Sequence, residues 1–308
     1  MLNFSNKCVL LTGFSCQVML SLIVCSRKFD IPDSLKDNIN RTIGTEYELV
    51  VVDNSKKRYS IFSAYNEGVR KAKGEILCFM HEDIIYKTEN WGKNVIRHFE
   101  KEDTGLIGVF GGHYLPDLVC HIGDSELLSY HYYYTQKDGS KLFFHSPEHF
   151  SGDGEVEVVA VDGLWLAVPK ALFQRISFDE GYAGFHYYDM DICMQVWAAG
   201  YKCKVVDDVV MEHNSAGVIN DDFVRSSYIF FEKWQSCLPM KKGVQYGDET
   251  YRIAEKLCQF KRYSRELELE NKWLEDNVKA NSKLWKIADG FKKTKKKIEK
   301  KCINIFRK

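Results

Sequence analysis

Short apolar runs alternate with stretches of helical period along the first third of the chain. Met19–Cys25 is apolar at six of seven positions, and Tyr47–Val52, Ile76–Met80 and Leu106–Phe110 are similar runs. Runs of this length, bounded by polar or turn-forming residues, read as buried strands. Between them, Asp33 to Ile43 (opened by Pro32), Ile61–Lys73 (with Gly74 as its C-cap) and Trp91–Glu100 carry the period of amphipathic helices. Strand and helix alternating through short links predict an α/β fold with a mostly parallel, doubly wound central sheet.

The middle of the chain is less regular. Residues 113–155 are rich in Tyr, His, Gly and Asp, with Tyr130, Tyr132, Tyr133 and Tyr134 bunched together, and read as loops with a hairpin. Val156–Val161 reads as a strand, Tyr188–Ala199 as a helix capped by Gly200, Tyr201–Val206 and Val209–Met211 as strands, and Asp221–Trp234 as a helix. The character changes at Gly243. Glu249–Trp285 is charged and helical, with a rough stripe through Leu267, Trp273, Leu274, Val278, Leu284 and Trp285. The expected organisation is a catalytic domain over residues 1–242 and a helical, basic extension over 243–308.

With 308 residues, 45% of them hydrophobic, the chain can bury a full core. Its 43 basic and 43 acidic residues cancel, but unevenly. Between Trp285 and Lys308 stand ten basic and two acidic residues, so the body is acidic and the tail basic. Ile287, Phe291, Ile298, Cys302 and Phe306 punctuate those lysines at mostly helical spacing, which suits either an anionic membrane face or a solvated end. No nucleic-acid motif accompanies the charge, and nucleic acid is not an expected partner. The ten cysteines include no C-x-x-C pair, which favours reduced thiols and a reducing compartment over zinc or disulfides. Cys8–Cys25 has the apolar look of a signal segment, but Thr12, Gly13, Ser15 and Gln17 interrupt it; a short leading strand is expected there.

Candidate chemistry gathers where apolar runs stop. Ile76–Met80 ends in His81-Glu82-Asp83, and Tyr47–Val52 ends in Asp53. The C-terminal edge of an open α/β sheet is where ligands bind, and carboxylates there suit a divalent cation that holds phosphate oxygens. Each residue also has a structural use. Asp53-Asn54-Ser55 is turn chemistry, Asp189 and Asp191 are first-turn acids of a helix, and Trp165 suits a core as well as a sugar face.

Taken in order, Ala64-Tyr65-Asn66-Glu67-Gly68, Ala72-Lys73-Gly74, His81-Glu82-Asp83, Phe178-Asp179-Glu180 and Tyr188-Asp189-Met190-Asp191-Ile192-Cys193 resemble the motifs of the GT-A glycosyltransferases, and within them the inverting glycosyltransferase family 2. The chain departs from the pattern twice. His81 stands where the first Asp of D-x-D is usual, and Tyr188 where a Glu usually precedes the catalytic Asp. The resemblance implies a GT-A fold and a nucleotide-diphosphate sugar donor, a UDP-sugar being favoured. It places Ser26, Arg27, Asp53, Asn66, Gly68, His81 and Glu82 at the donor, Asp83 and His213 at a metal, Asp189 as the catalytic base, and Trp165 and Asp191 at the acceptor. Imidazole near the metal favours Mn²⁺ over Mg²⁺. A glycan or lipid-linked acceptor, surface polysaccharide or glycolipid synthesis, a cytoplasmic site peripheral to the inner membrane face, and a homodimer through the charged helix complete the expectation. The alternatives are a degenerate, non-catalytic sugar- or nucleotide-binding protein of the same fold, or a sugar-nucleotide nucleotidyltransferase. The latter wants glycines after the first strand, where Cys25-Ser26-Arg27-Lys28 has none. Nicotinamide-dependent oxidoreductases lack support because no G-x-G-x-x-G occurs.

Overall fold

The computed structural model describes residues 18–136, 138–182, 184–214 and 219–280. The basic tail, the leading segment before residue 18, and Ser215–Gly217 lie outside the described residues. In chain order the elements are β1 (Leu20–Ser26), α1 (Asp33–Thr42), β2 (Tyr47–Asp53), α2 (Ile61–Lys71), β3 (Ile76–Met80), β4 (Ile84–Tyr86), α3 (Trp91–His98), β5 (Thr104–Gly108), β6 (Phe110–Gly112) and β7 (Tyr114–Leu115). There follow β8 (Leu128–Thr135), β9 (Lys141–His145), β10 (Glu155–Glu157), β11 (Ala160–Val161), β12 (Trp165–Pro169), α4 (Tyr188–Ala198), β13 (Lys202–Val206), β14 (Met211–His213), α5 (Asp221–Trp234), β15 (Met240–Lys241) and α6 (Asp248–Ala280). The chain divides in sequence between Lys261 and Arg262. The first turns of α6 belong to the body, where Tyr251 and Ala254 pack with Tyr114 and Leu127.

The central sheet runs β10-β13-β5-β12-β3-β1-β2. Strands β2, β1 and β3 are parallel, as are β5 and β13. Between the two groups β12 runs antiparallel to both β3 and β5, and β10 is antiparallel to β13. The sheet is therefore mostly parallel but interrupted at its centre. The reason is topological: residues 113–155 leave the sheet, and the chain returns between β3 and β5 from the opposite end.

Side-chain alternation divides the core between the two faces of this sheet. Ile23, Leu77, Phe79, Leu166 and Val168 point to one face, against α2 and α4. Leu20, Leu22, Val24, Cys78, Met80, Trp165 and Ala167 point to the other, against α1 and α3. Helix α2 begins at Ser60, whose Oγ accepts from the Ser63 N–H at 3.3 Å, and buries Phe62, Ala64 and Tyr65. Gly68 is demanded by packing: a Cβ there would lie 2.3 Å from Cγ2 of Ile23.

A second sheet, β11-β6-β8-β14-β4 with β9 on β8, stands at the C-terminal edge of the first. The stretch expected as one strand over Val156–Val161 instead serves both sheets. Its first half is β10, its second half β11, and in between the Val158 and Val159 N–H groups donate to Cys203 and Gly112. Strand β14 also falls two residues later than Val209–Met211, so His213 is inside it. Its register sets His213 opposite Ile84, one residue beyond Asp83.

Candidate active site

A cleft of about 420 Å³ opens at the C-terminal ends of β1 and β3. His81, Glu82 and Asp83 form its floor, and Arg27, Phe185 and Tyr188 stand on its walls. The β4–β14 pairing delivers His213 to this floor from the second sheet. His81 Nδ1 lies 3.2 Å from His213 Nε2 and 4.0 Å from Asp83 Oδ1, and His213 Nε2 lies 3.6 Å from the same Asp83 oxygen. One ligand atom from each of the three residues falls within 4.8 Å of the others. Two imidazole nitrogens and a carboxylate oxygen converging on one point form a donor set that suits a borderline divalent ion such as Mn²⁺. Burial, and then the neighbouring His213, push the pKa of His81 below its ordinary value. A neutral ring keeps the lone pair that a metal requires.

The candidate base lies one residue from the cleft wall. Tyr187, at φ 68°, turns the chain into α4, and Tyr188 and Asp189 open the helix. Asp189 is 6% exposed. Its Oδ2 accepts the Gly163 N–H at 2.8 Å and its Oδ1 the Met190 N–H at 2.9 Å. Burial, followed by the negative charge of Asp162, raises its pKa from 3.8 to about 6, with His121 and the two N–H groups opposing. Such a carboxylate is ionised at neutral pH yet more basic than a solvated one, which suits proton abstraction. The neighbour Asp162, at the start of the segment that leads to Trp165, is not among the residues the motifs place at the site. It is half-buried, accepts the Leu164 N–H at 2.9 Å, and its charge acts on His81, Tyr132, Tyr188 and Asp189 together. An Asp-Gly pair just before a buried strand was the available signal.

Residues 22–234 match the model of a family described as "Glycosyltransferase like family". The chain belongs to this glycosyltransferase family. Over 171 residues it is 28% identical to the streptomycin biosynthesis protein StrF of Streptomyces griseus, covering 54% of this chain and 57% of that one. The chain thus spans little more than half the length of that curated relative. Among solved structures, GalNAc-T7 with UDP, GalNAc and Mn²⁺ is similar at a TM-score of 0.50 and 13% identity, over 79% of this chain and 55% of that chain. S. aureus TarS is similar at a TM-score of 0.45 and 14% identity, over 70% of this chain and 39% of that chain. The fold is that of the GT-A glycosyltransferases.

Within this fold the remaining expected site residues separate into two groups. Ser26 and Arg27 reach the cleft floor: Ser26 Oγ donates to Glu82 Oε2 at 2.7 Å and Arg27 Nε to Glu82 Oε1 at 3.0 Å. Asp53 is level with Ser26 in the β1–β2 register, on the same edge, where its Oδ1 accepts the Ser55 N–H at 2.9 Å. The others do not reach the cleft. Asn66 clamps the Phe178 backbone, donating to its carbonyl at 2.8 Å and accepting its N–H at 3.1 Å, and donates to Glu180 at 2.9 Å. Its amide and Gly68 hold α2 in place.

Asp191, expected at the acceptor, is 1% exposed and already saturated. Lys233 approaches at 2.8 Å, the Trp234 indole N–H donates at 2.8 Å, and Gln195 donates at 2.7 Å, so this carboxylate ties α4 to α5. Trp165, also expected at the acceptor, points to the α1/α3 face, fully buried, with its ring edge-on to Trp91 at 6.4 Å. It has no face to offer a sugar, because strand alternation directs it away from the cleft.

Proposed function

We propose that the protein moves a sugar from a nucleoside-diphosphate sugar, a UDP-sugar being favoured, to a hydroxyl of a glycan or lipid-linked acceptor, with inversion and with the aid of a divalent ion. One observation carries the reading: the His81–Asp83–His213 cluster stands at the cleft, and Gly163 binds both Asp189 and Tyr188, the neighbour of His81. GalNAc-T7, of similar fold, was solved with UDP, GalNAc and Mn²⁺, and this supports the same donor chemistry here. The synthesis of a surface polysaccharide or glycolipid, at the inner face of a membrane, agrees with the basic tail. Among the described residues no helix is long and apolar enough to cross a membrane.

The chemistry then follows from the positions. Arg27 and the turn after β2 border the side where the nucleotide would lie, with Asp53 available to its ribose or base. His81, Asp83 and His213 would hold the metal, which when bound neutralises charge on the departing diphosphate. Asp189 takes the proton of the acceptor hydroxyl, and that oxygen forms a bond to the anomeric carbon. The bond from that carbon to the diphosphate oxygen breaks, and its electron pair leaves with the nucleoside diphosphate. With one base opposite the leaving group, the displacement inverts the anomeric centre. Asp162, beside Asp189, strengthens the base through its charge.

Thermal stability with UDP, GDP, dTDP or CMP, each with and without Mn²⁺, tests the donor site. The expected result is a rise in Tm for one nucleotide that requires Mn²⁺ and disappears in Asp83→Ala. No rise with any nucleotide would sink the reading.

A further inference from the structure

The two departures from the family pattern, His81 and Tyr188, touch each other. Tyr188 Oη lies 2.8 Å from the Gly163 carbonyl oxygen and 3.2 Å from His81 Nε2. The Tyr188 hydroxyl donates its single proton to the Gly163 carbonyl, which can only accept, and its oxygen is also a hydrogen-bond partner of Tyr65. Toward His81 the phenol oxygen is left with lone pairs alone, and the pair is a hydrogen bond only if His81 Nε2 carries the proton. In a neutral imidazole the lone pair is then on Nδ1. That is the atom that faces His213 Nε2 at 3.2 Å and Asp83 Oδ1 at 4.0 Å.

We infer that Tyr188 is a positioning residue that fixes His81 in the Nε2–H tautomer and so presents Nδ1 to the metal. The inference rests on the metal-binding part of the proposed function. Metal-ligating histidines commonly hand their second ring proton to an oxygen that sets tautomer and ring orientation. Here the oxygen belongs to a tyrosine that is itself oriented by a peptide carbonyl. The same residue, through the peptide N–H on its other side, binds Asp189, so one turn orients both halves of the site. The antiparallel strand β12 makes this possible. It pairs Trp165 with Met80, and the His81 N–H donates to the Leu164 carbonyl at 3.1 Å, which holds the turn against the end of β3. Gly163 has to be glycine for the contact to exist, since a Cβ there would lie 2.1 Å from Tyr188 Oη.

The test uses the full-length, metal-free protein labelled with ¹⁵N, with Mn²⁺ as the sole probe. Long-range ¹H–¹⁵N spectra, with His81 assigned by loss of its signals in His81→Asn, read which ring nitrogen carries the proton. Titration calorimetry reads Mn²⁺ affinity. In the native protein His81 is expected to be protonated at Nε2. Tyr188→Phe removes only the hydroxyl and Gly163→Ala displaces it, and both should shift the tautomer and weaken Mn²⁺ binding by about tenfold or more. A purely structural tyrosine would leave the tautomer unchanged. Should either variant fail to fold, the native spectrum decides alone. Protonation of His81 at Nδ1, Tyr188→Phe binding Mn²⁺ as the native chain does, or a native chain that binds no Mn²⁺ would each overturn the inference. Nucleotide-sugar turnover is not read here, so a protein that holds Mn²⁺ in this way yet transfers no sugar would overturn the transferase reading alone.

Discussion

Asp189 is buried with two N–H partners, and its folded pKa of about 6 lies above the value of 3.8 for a free side chain. Two pH effects follow. In the proposed mechanism transfer requires the ionised form, so the rate should climb as pH rises through about 6 and level off above it. Asp162→Asn removes the neighbouring charge and should move that midpoint to lower pH in an activity–pH profile. Stability runs the other way. The folded state binds the proton more tightly than the unfolded chain, so the residue costs stability increasingly as pH rises from about 4 to 6. A lift of this size corresponds to as much as about 3 kcal/mol at neutral pH. Asp189→Asn removes that charge cost but sets an amide NH2 against one of the two backbone N–H groups the carboxylate accepts, so Tm at pH 7 should change little while kcat falls by about 10²–10⁴-fold. A variant with kcat unchanged would contradict the assignment of the base.

At the scale of elements, the site depends on how α2 and α4 are held. Helix α2 contacts β1 through Gly68, and Gly68→Ala drives a methyl into Ile23; about 1–3 kcal/mol of stability should be lost, read by denaturant unfolding. Helix α4 is tied to α5 through Asp191. Its replacement by Ala leaves Lys233 and the Trp234 N–H without their buried acceptor, at a cost on the order of 3 kcal/mol. If Asp191 acted on the acceptor instead, the main effect would be on the acceptor KM with stability unchanged. Neither contact was visible in the chain. The motif positions of Asn66 and Asp191 point to ligand roles, but most of the atoms that saturate them lie far away in sequence.

For the whole molecule, the second sheet matters because it carries His213. The preceding residue, Glu212, points the other way along β14 and is nearly buried. Burial alone would raise its pKa, but Lys141 at 2.8 Å, Lys87 at 2.7 Å and Thr135 at 2.8 Å outweigh it and hold the carboxyl at about 2. A depressed pKa contributes stability that is complete above the unfolded value of 4.5 and is lost as pH falls through about 2. Glu212→Gln should flatten the acid limb of a stability–pH curve in that window. It should also loosen β14 against β4 and β8, and with it the placement of His213.

Read as a sequence, the chain declares its α/β class, most of its strands and helices, and the residues at their ends. Those features are local: apolar runs, helical period, and Asp, His or Gly at fixed offsets, all within one element's reach. The cluster of His81 and Asp83 at a strand end belongs to this legible part, because two positions two residues apart stay together in any fold. The antiparallel entry of β12 between β3 and β5, the division of residues 155–161 between two sheets, and the inward direction of Trp165 depend on pairing partners chosen by topology. So does the meeting of Gly163, Tyr188 and His81. Hydrogen bonds and burial across scores of residues decide which polar groups are spent inside the protein and which remain for a ligand, and only the tertiary structure sets those pairings.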